Sequence, residues 1–401
     1  MIGDFDMEFP WVIKRSFRII RKYIRRFRYT NWNKNQSYTY SSNKKTILVV
    51  SHSSREGGAP MLLNHIAHEL VLKGYQVIIV TCDYGHMLYS FSKIGKVYVC
   101  LNKYDVNKLI RKICKKYNIE KCYFNSVMTG NLVKQFKKKG FHTVTLIHEL
   151  PQAIKTLHAM KQAQNAAEYS DVLVFAANYI KEKFQELVLP SAILEKSVIQ
   201  PQGIYQRIKA DVNKDIAIKK ICRTIGNISA GKIVLNVGEA SYRKGFDIFV
   251  KLAEMDKDNT YIWVGYRENA FSKSVINKYK ELPVNLQIVG YITDPDELYN
   301  YYFAADVFCL TSREEPFASV ILEAFNAGLP VVAFANVGGA DDVVKNGSTG
   351  YLANEISPHS LLNSIKMVTL RKDQYEIMSS TCKRIADGMS FSAYVDELLK
   401  L

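Results

Sequence analysis

Short apolar runs separated by helical stretches constrain this chain more than any other feature. Thr46–Val50, Val77–Thr81, Thr143–Ile147, Val172–Phe175, Ile233–Val237, Tyr261–Val264, Leu286–Val289, Val307–Leu310 and Val331–Phe334 are each four or five residues long. Apolar runs with helices between them are the pattern of parallel strands buried on both faces by crossover helices. At 401 residues the chain is too long for one ordinary domain and suits two. The expected fold class is therefore α/β, with two Rossmann-like parallel-sheet domains facing across a cleft. Pro201 and Gly203 follow a short apolar stretch at Val198–Ile199 and read as the crossover between them. The expected division is an N-terminal extension and linker over 1–43, a first domain over 44–204, a second over 205–387 and a closing helix over 388–401.

Charge is unevenly spread. Residues 1–45 hold eleven Lys or Arg against three acids, half of the chain's net charge of +16. Within 11–29, Ile13, Phe17, Ile20, Ile24 and Phe27 recur at helical spacing among eight basic residues, with Trp11 and Tyr29 at the ends. A basic amphipathic N-terminal helix lying in an anionic membrane surface is the first reading. A basic tail docked on its own protein is the second. Nucleic acid ranks third, because the aromatics follow a buried stripe rather than a stacking platform. Lys108, Arg111, Lys112, Lys115, Lys116 and Lys121, then Lys134, Lys137, Lys138 and Lys139, read as two further basic helices. They are either a solvated face or part of the same membrane-facing side. The seven cysteines form no C-x-x-C pair, and no His/Cys cluster has metal spacing. With no apolar run of spanning length and no signal pattern, the chain is expected to be cytoplasmic, at most peripheral on the inner face of the cell membrane.

Polar residues that carry chemistry gather where strands are expected to end. After Val307–Leu310 comes Thr311-Ser312-Arg313-Glu314-Glu315-Pro316, then a helix holding Glu323, so that Glu315 in the turn and Glu323 in the helix face one ligand. After Ile233–Val237, Arg243-Lys244-Gly245 precedes a helix and offers the fixed positive charge and close backbone approach that a pyrophosphate needs. Gly57 and Gly58 lie in the loop after the first strand, ahead of a helix expected from Pro60 to about Lys73, where paired glycines either admit a ligand or merely relieve crowding. His148-Glu149 follows Thr143–Ile147 at a strand's C-terminal end, as a site residue or a satisfied loop histidine. Gly338-Gly339 suits close contact with a ligand. Asp294-Pro295-Asp296 reads as a helix cap rather than a metal site.

In this order, Gly57-Gly58-Ala59-Pro60, His148-Glu149, Arg243-Lys244-Gly245, Glu315-Pro316-Phe317-Ala318-Ser319 through Glu323, and Gly338-Gly339 resemble the retaining glycosyltransferases of family 4, with the GT-B fold. The loop around Gly57 is most similar to bacterial enzymes of cell-surface polysaccharide synthesis. The resemblance implies a nucleotide-diphosphate sugar as donor, a glycan or lipid-linked acceptor, and neither a metal nor another cofactor. Glu323 would hold the ribose, and Glu315 would lie beside the reacting sugar with His148. Backbone N–H groups of Phe317, Ala318, Ser319 and Val320 would hold sugar and phosphate, and Arg243 and Lys244 the leaving diphosphate. Gly57 and Gly58 would line the acceptor side. Two positions depart from the pattern: Glu239 stands where many relatives have arginine, and Asp342 where a glutamate is commoner. A nucleotide-sugar epimerase or hydrolase, and a non-catalytic membrane-tethered scaffold, are the alternatives.

Overall fold

The computed structural model describes residues 41, 44–101, 103–188, 195–205, 212–226, 228 and 231–401. The basic segment 11–29 expected to form a membrane-surface helix lies outside the described residues. Two compact units emerge. One holds the described residues up to Ile147 with 154–173 and 195–196, and the other holds 148–153, 174–188 and the described residues from Ser197 onward.

The N-terminal strands are β1 (Thr46–Ser51), β2 (Gln76–Thr81), β3 (Lys96–Val99), β4 (Ile119–Asn125), β5 (Thr143–Ile147), β6 (Val172–Phe175) and β7 (Ser197–Ile199). Among them run helices α1 (Gly58–Leu72), α2 (Leu88–Ile94), α3 (Lys103–Lys116), α4 (Gly130–Lys137), α5 (Pro151–Thr156), α6 (Met160–Tyr169) and α7 (Asn178–Gln185). The sheet order is β3-β2-β1-β4-β5-β6-β7, and β1 pairs in parallel with both β2 and β4. β1 is buried along its whole length, as its unbroken run TILVVS requires.

The second sheet follows helix α8 (Lys214–Ile225). Its strands are β8 (Ile233–Val237), β9 (Thr260–Tyr266), β10 (Leu286–Gly290), β11 (Val307–Leu310), β12 (Val331–Phe334) and β13 (Gly350–Ala353). Helices α9 (Phe246–Met255), α10 (Ala270–Ile276), α11 (Pro295–Ala304), α12 (Ser319–Asn326) and α13 (Ala340–Val343) connect them, and α14 (Pro358–Thr369), α15 (Lys372–Gly388) and α16 (Phe391–Lys400) close the chain. The order is β10-β9-β8-β11-β12-β13, with every pairing parallel. Alternate side chains serve opposite faces. Leu235, Ile262, Phe308 and Ala333 pack against Tyr302 of α11 and Phe325 of α12, whereas Val234, Trp263, Cys309 and Val332 pack against Phe249 of α9 and Ile365 of α14.

Numbered from its own first strand, each sheet reads 3-2-1-4-5-6, the doubly wound Rossmann order, the first continuing with a seventh strand. Each winding reverses between its first and fourth strands, β1 and β4 in one sheet and β8 and β11 in the other. Ligands in such sheets bind outside the C-terminal strand ends at that reversal. The two loops with the richest chemistry in the second unit follow β8 and β11.

Some expectations shift. β3, β4 and β13 were not among the runs read as strands, since β3 is a short KVYV and β4 begins with Glu120 and Lys121. Lys121 consequently stands on a strand, not a helix. Helix α1 begins at Gly58 rather than Pro60, which makes Gly58 its first residue. Helix α12 begins at Ser319, so Phe317 and Ala318 precede it. Asp294 does cap α11, accepting from Asp296 N–H at 3.0 Å.

Candidate functional site

The β8 and β11 loops are built against each other. Past the last paired residues of these strands, the buried Asn236 amide donates to Cys309 O at 2.7 Å and to Thr311 Oγ1 at 3.0 Å. The β8 loop then turns through Gly238 to Lys244 and enters α9 at Gly245, which has φ of 70°. A Cβ on Gly245 would stand 2.0 Å from Thr311 O, so glycine is required both by the left-handed backbone and by this approach.

Glu315 lies buried where the loops meet. Its Oε2 accepts from Arg243 Nη1 at 3.2 Å, from Lys244 Nζ, and from Ser312 Oγ at 3.3 Å. Arg243 Nη1 also donates to Glu314 O at 2.9 Å. Burial pushes the Glu315 carboxyl upward, but the adjacent Lys244 and Arg243 cations outweigh it and hold the group below its ordinary value. Glu314 is raised by burial, with Arg243 opposing and Glu315 adding to the rise. The backbone of Glu315 is fixed from the other side. Its N–H donates to Val337 O at 3.0 Å, and Gly339 N–H donates to Glu315 O at 3.1 Å. A Cβ on Gly338 would lie 1.7 Å from Glu315 O. The close contact expected of Gly338-Gly339 is thus with the Glu315 backbone, and a structural need accounts for both glycines.

Helix α12 carries Glu323 in its second turn. It has no side-chain cap, so its leading N–H groups, Ser319 and Val320 among them, are left for solvent or an anion. Glu323 Oε2 accepts from Tyr302 Oη at 2.7 Å. Burial raises the Glu323 carboxyl and the tyrosine bond only partly offsets this. Tyr302 is itself driven well above its ordinary value by burial and then by the neighbouring carboxylate. Tyr205 bonds with Ser319 and, with Gly203, Leu322 and Glu323, lines a small recess at the same place. The two glutamates thus occupy different environments: Glu315 is ionised among cations and Glu323 is held by a phenol. Glu239 is solvent-exposed on the β8 loop.

In the first sheet, Gly57 and Gly58 follow β1 and His148 follows β5, at the same C-terminal edge. Neither glycine is crowded: a Cβ on Gly57 meets only Pro60 Cδ at 3.8 Å, and one on Gly58 meets nothing within 4 Å. Their bareness is not explained by the fold. The loop before them is pinned instead through Ser53 and Ser54, which hydrogen-bond Asp83 after β2 at 2.9 and 2.6 Å. Asn125 of β4 donates to Ala59 O at 2.6 Å across the first switch point. His52 Nδ1 is buried in this loop without a hydrogen-bond partner. His148 is partly buried, and its backbone N–H reaches Glu149 Oε2 at 3.2 Å.

Arg243, Lys244 and Glu315 are thus in direct contact, Glu323 and Ser319 share the next helix, and Gly57, Gly58 and His148 share an edge of the other sheet. Sequence reasoning missed Ser312, Arg313, Asp247 and Tyr302. For Ser312 and Arg313 the available signal was their place between two assigned residues; Asp247 and Tyr302 carried none.

Glycine substitutions separate the two kinds of loop. Gly338→Ala lowers the melting temperature by several degrees, while Gly58→Ala leaves it unchanged or raises it, since alanine is favoured over glycine in a helix by about 1 kcal/mol; differential scanning calorimetry reads both. Glu315 gives a pH signature. Its folded-state value lies below the ordinary 4.5, so on acidification the unfolded chain takes the proton first. Its contribution is intact above 4.5 and is lost as the pH falls through the folded-state value. Glu315→Gln is expected to cost about 3–5 kcal/mol at neutral pH, because it leaves two cations without their partner. In denaturant titrations that difference should shrink at acid pH; a constant difference would refute the ion-pair assignment.

Comparisons with known proteins agree with this geometry. Residues 219–384 match the family described as glycosyl transferases group 1. An uncharacterized glycosyltransferase of Haemophilus influenzae is 21% identical over 367 residues, covering 88% of this chain and 98% of the relative. The lipopolysaccharide 1,2-N-acetylglucosaminetransferase of Salmonella typhimurium is 25% identical over 257 residues, covering 61% of this chain and 64% of that enzyme. Among solved structures, Anabaena HepE in complex with UDP-glucose superimposes with a TM-score of 0.71 at 18% identity, over 88% of this chain and 98% of HepE. The fold is GT-B, and residues 219–384 of the chain are similar to the glycosyl transferases group 1.

Proposed function

We propose that this protein moves a sugar from a nucleoside-diphosphate sugar to a membrane-associated glycan or lipid-linked acceptor in the synthesis of a cell-surface polysaccharide, with retention and without a metal. One observation carries the reading: at the switch point of the second sheet, Arg243 and Lys244 converge on Glu315 beside the uncapped helix that bears Glu323. The Salmonella relative acts on lipopolysaccharide, a further relative from Klebsiella pneumoniae is a protein of the cps region, and HepE binds UDP-glucose. All three support it.

The chemistry assigned to each residue follows from its charge. The bond from the anomeric carbon to the diphosphate breaks, and negative charge develops on the leaving oxygen. Arg243 and Lys244 neutralise it, and α12's leading N–H groups, from Ser319 and Val320, add a positive dipole end. The backbone N–H groups of Phe317 and Ala318, just before the helix, complete the cradle. Glu315, ionised, orients the sugar hydroxyls and offsets positive charge at the anomeric carbon, with His148 between sugar and acceptor. Glu323 accepts from the ribose hydroxyls. Under retention the acceptor hydroxyl enters on the face the diphosphate leaves and passes its proton to a phosphate oxygen, so no protein nucleophile is assigned. Gly57 and Gly58 line the acceptor side, where bare backbone admits a bulky sugar.

The membrane part of the reading rests on charge. Lys108, Arg111, Lys112, Lys115 and Lys116 are exposed along α3, and Lys137, Lys138 and Lys139 are exposed at the end of α4. No helix among the described residues is long and apolar enough to cross a membrane. Peripheral attachment through this surface and the amphipathic segment 11–29 fits both facts.

A thermal-shift screen of nucleotide sugars identifies the donor, since a ligand of the folded state raises its melting temperature. With that donor's nucleoside diphosphate, Arg243→Ala and Lys244→Ala are each expected to lose roughly 1.5–3 kcal/mol of affinity, measured by calorimetry. Undiminished binding in both would exclude the assigned pocket. Deleting residues 1–30 should abolish co-sedimentation with anionic vesicles while leaving turnover of a soluble acceptor intact; a truncated protein that still pellets with the vesicles would rule out the membrane assignment.

A further inference from the structure

Arg313, a charged residue of the β11 loop that the proposed chemistry leaves unused, is as heavily bonded as Glu315. Its guanidinium forks onto Asp247 in the first turn of α9, Nη1 to Oδ1 at 2.8 Å and Nη2 to Oδ2 at 2.7 Å. Nη1 also donates to Tyr242 O at 2.7 Å, and the group stacks 4.0 Å from the Tyr242 ring centroid. Its backbone N–H donates to Arg243 O at 2.8 Å. Thr311 Oγ1, two residues earlier, donates to Lys244 O at 2.8 Å. Three consecutive carbonyls, of Tyr242, Arg243 and Lys244, are therefore each bonded by the loop that carries Glu315.

We propose that Arg313 is a positioning residue, which sets where Arg243 and Lys244 stand by clamping their backbone to the Glu315 loop, and that Asp247 holds Arg313 in the clamping pose. The inference rests on the reading that Arg243 and Lys244 meet the donor's diphosphate. Three of the five Arg313 N–H groups are committed to Asp247 and Tyr242, which hold the guanidinium toward α9. A lysine at 313 lacks the fork and stacks poorly, so arginine is specified by geometry rather than charge. Flexible cations on a free loop would have to be ordered by the ligand, at a cost in affinity; held backbones remove much of that cost.

The test uses the full chain and inorganic pyrophosphate, which carries the diphosphate and no base, followed by phosphorus NMR titration. Melting temperatures are recorded on the same samples without ligand. Wild-type protein is expected to bind pyrophosphate. Arg313→Gln and the milder Asp247→Asn should each weaken that binding by about tenfold, and the double variant should lose no more than the worse single one, because the two residues act as a unit. If both variants melt lower yet bind pyrophosphate as wild type does, the pair is a structural ion pair and the proposal is overturned. If Arg313→Gln fails to fold, Asp247→Asn decides on its own. Wild-type protein that ignores pyrophosphate would instead remove the diphosphate reading of the site, and the clamp would fall with it.

Discussion

The second unit's site depends on a buried carboxylate held by two cations. Placing Glu315 out of water alone would cost several kcal/mol, and placing Lys244 beside Arg243 without an acid between them would add repulsion. Together the three groups satisfy one another, with the Ser312 hydroxyl completing the shell at 3.3 Å. The cluster keeps one net positive charge. Under the proposed function a diphosphate would meet cations that are already aimed, Lys244 mostly buried and Arg243 half-exposed, and the charge remaining after Glu315 is counted favours an anion.

That arrangement exists because close backbone approaches add to side-chain bonds in closing the distance between loops. β8 and β11 are neighbours in the sheet, joined by only a short register, Val307 to Val234 and Phe308 to Leu235. Beyond it the loops are kept together by the Asn236 amide and by Gly245 pressed on Thr311 O, while Gly338, after β12, presses on Glu315 O from the other side. Each glycine sits where a methyl group would meet a carbonyl oxygen, so each contact tolerates no side chain. The bare loop at Gly57 and Gly58 is the contrast. Among the described residues, only Pro60 Cδ, at 3.8 Å from a Cβ on Gly57, comes near the space a side chain would take there.

Much of the fold was legible in sequence because the strands that matter most are continuous apolar runs, and runs buried on both faces leave little ambiguity of period. β4 escaped because its first half is polar and irregular: Ile119 and Lys121 pair with Thr46 and Ile47 across a register shift, Glu120 between them is exposed and pairs with Lys45 at 3.1 Å, and only Cys122 to Asn125 are buried. The candidate residues on the β8 and β11 loops were visible as polar clusters at strand ends. What sequence could not show is pairing across about seventy residues: Arg243 with Glu315, and Arg313 with Asp247, are contacts set by the switch point, with no local pattern to announce them. The contact of Gly338 with the Glu315 backbone was hidden for the same reason, since the sheet brings the two together.

Two glutamates eight positions apart look interchangeable as a pattern, and the fold makes them opposites. Glu315 is shifted down by Lys244 and Arg243 despite its burial, whereas Glu323 is shifted up by burial with only a phenol to help it. By linkage they pull stability in opposite directions with pH: the first favours folding above the ordinary carboxylate value, and the second favours it below, losing its contribution as the pH rises through its raised folded-state value. A carboxylate that gains hydrogen-bond donors from a ligand loses that penalty. Under the proposed function, ribose hydroxyls donated to Glu323 would stabilise its ionised form and recover the cost of an under-satisfied carboxylate, while Glu315, already satisfied, would recover nothing and would serve by staying charged.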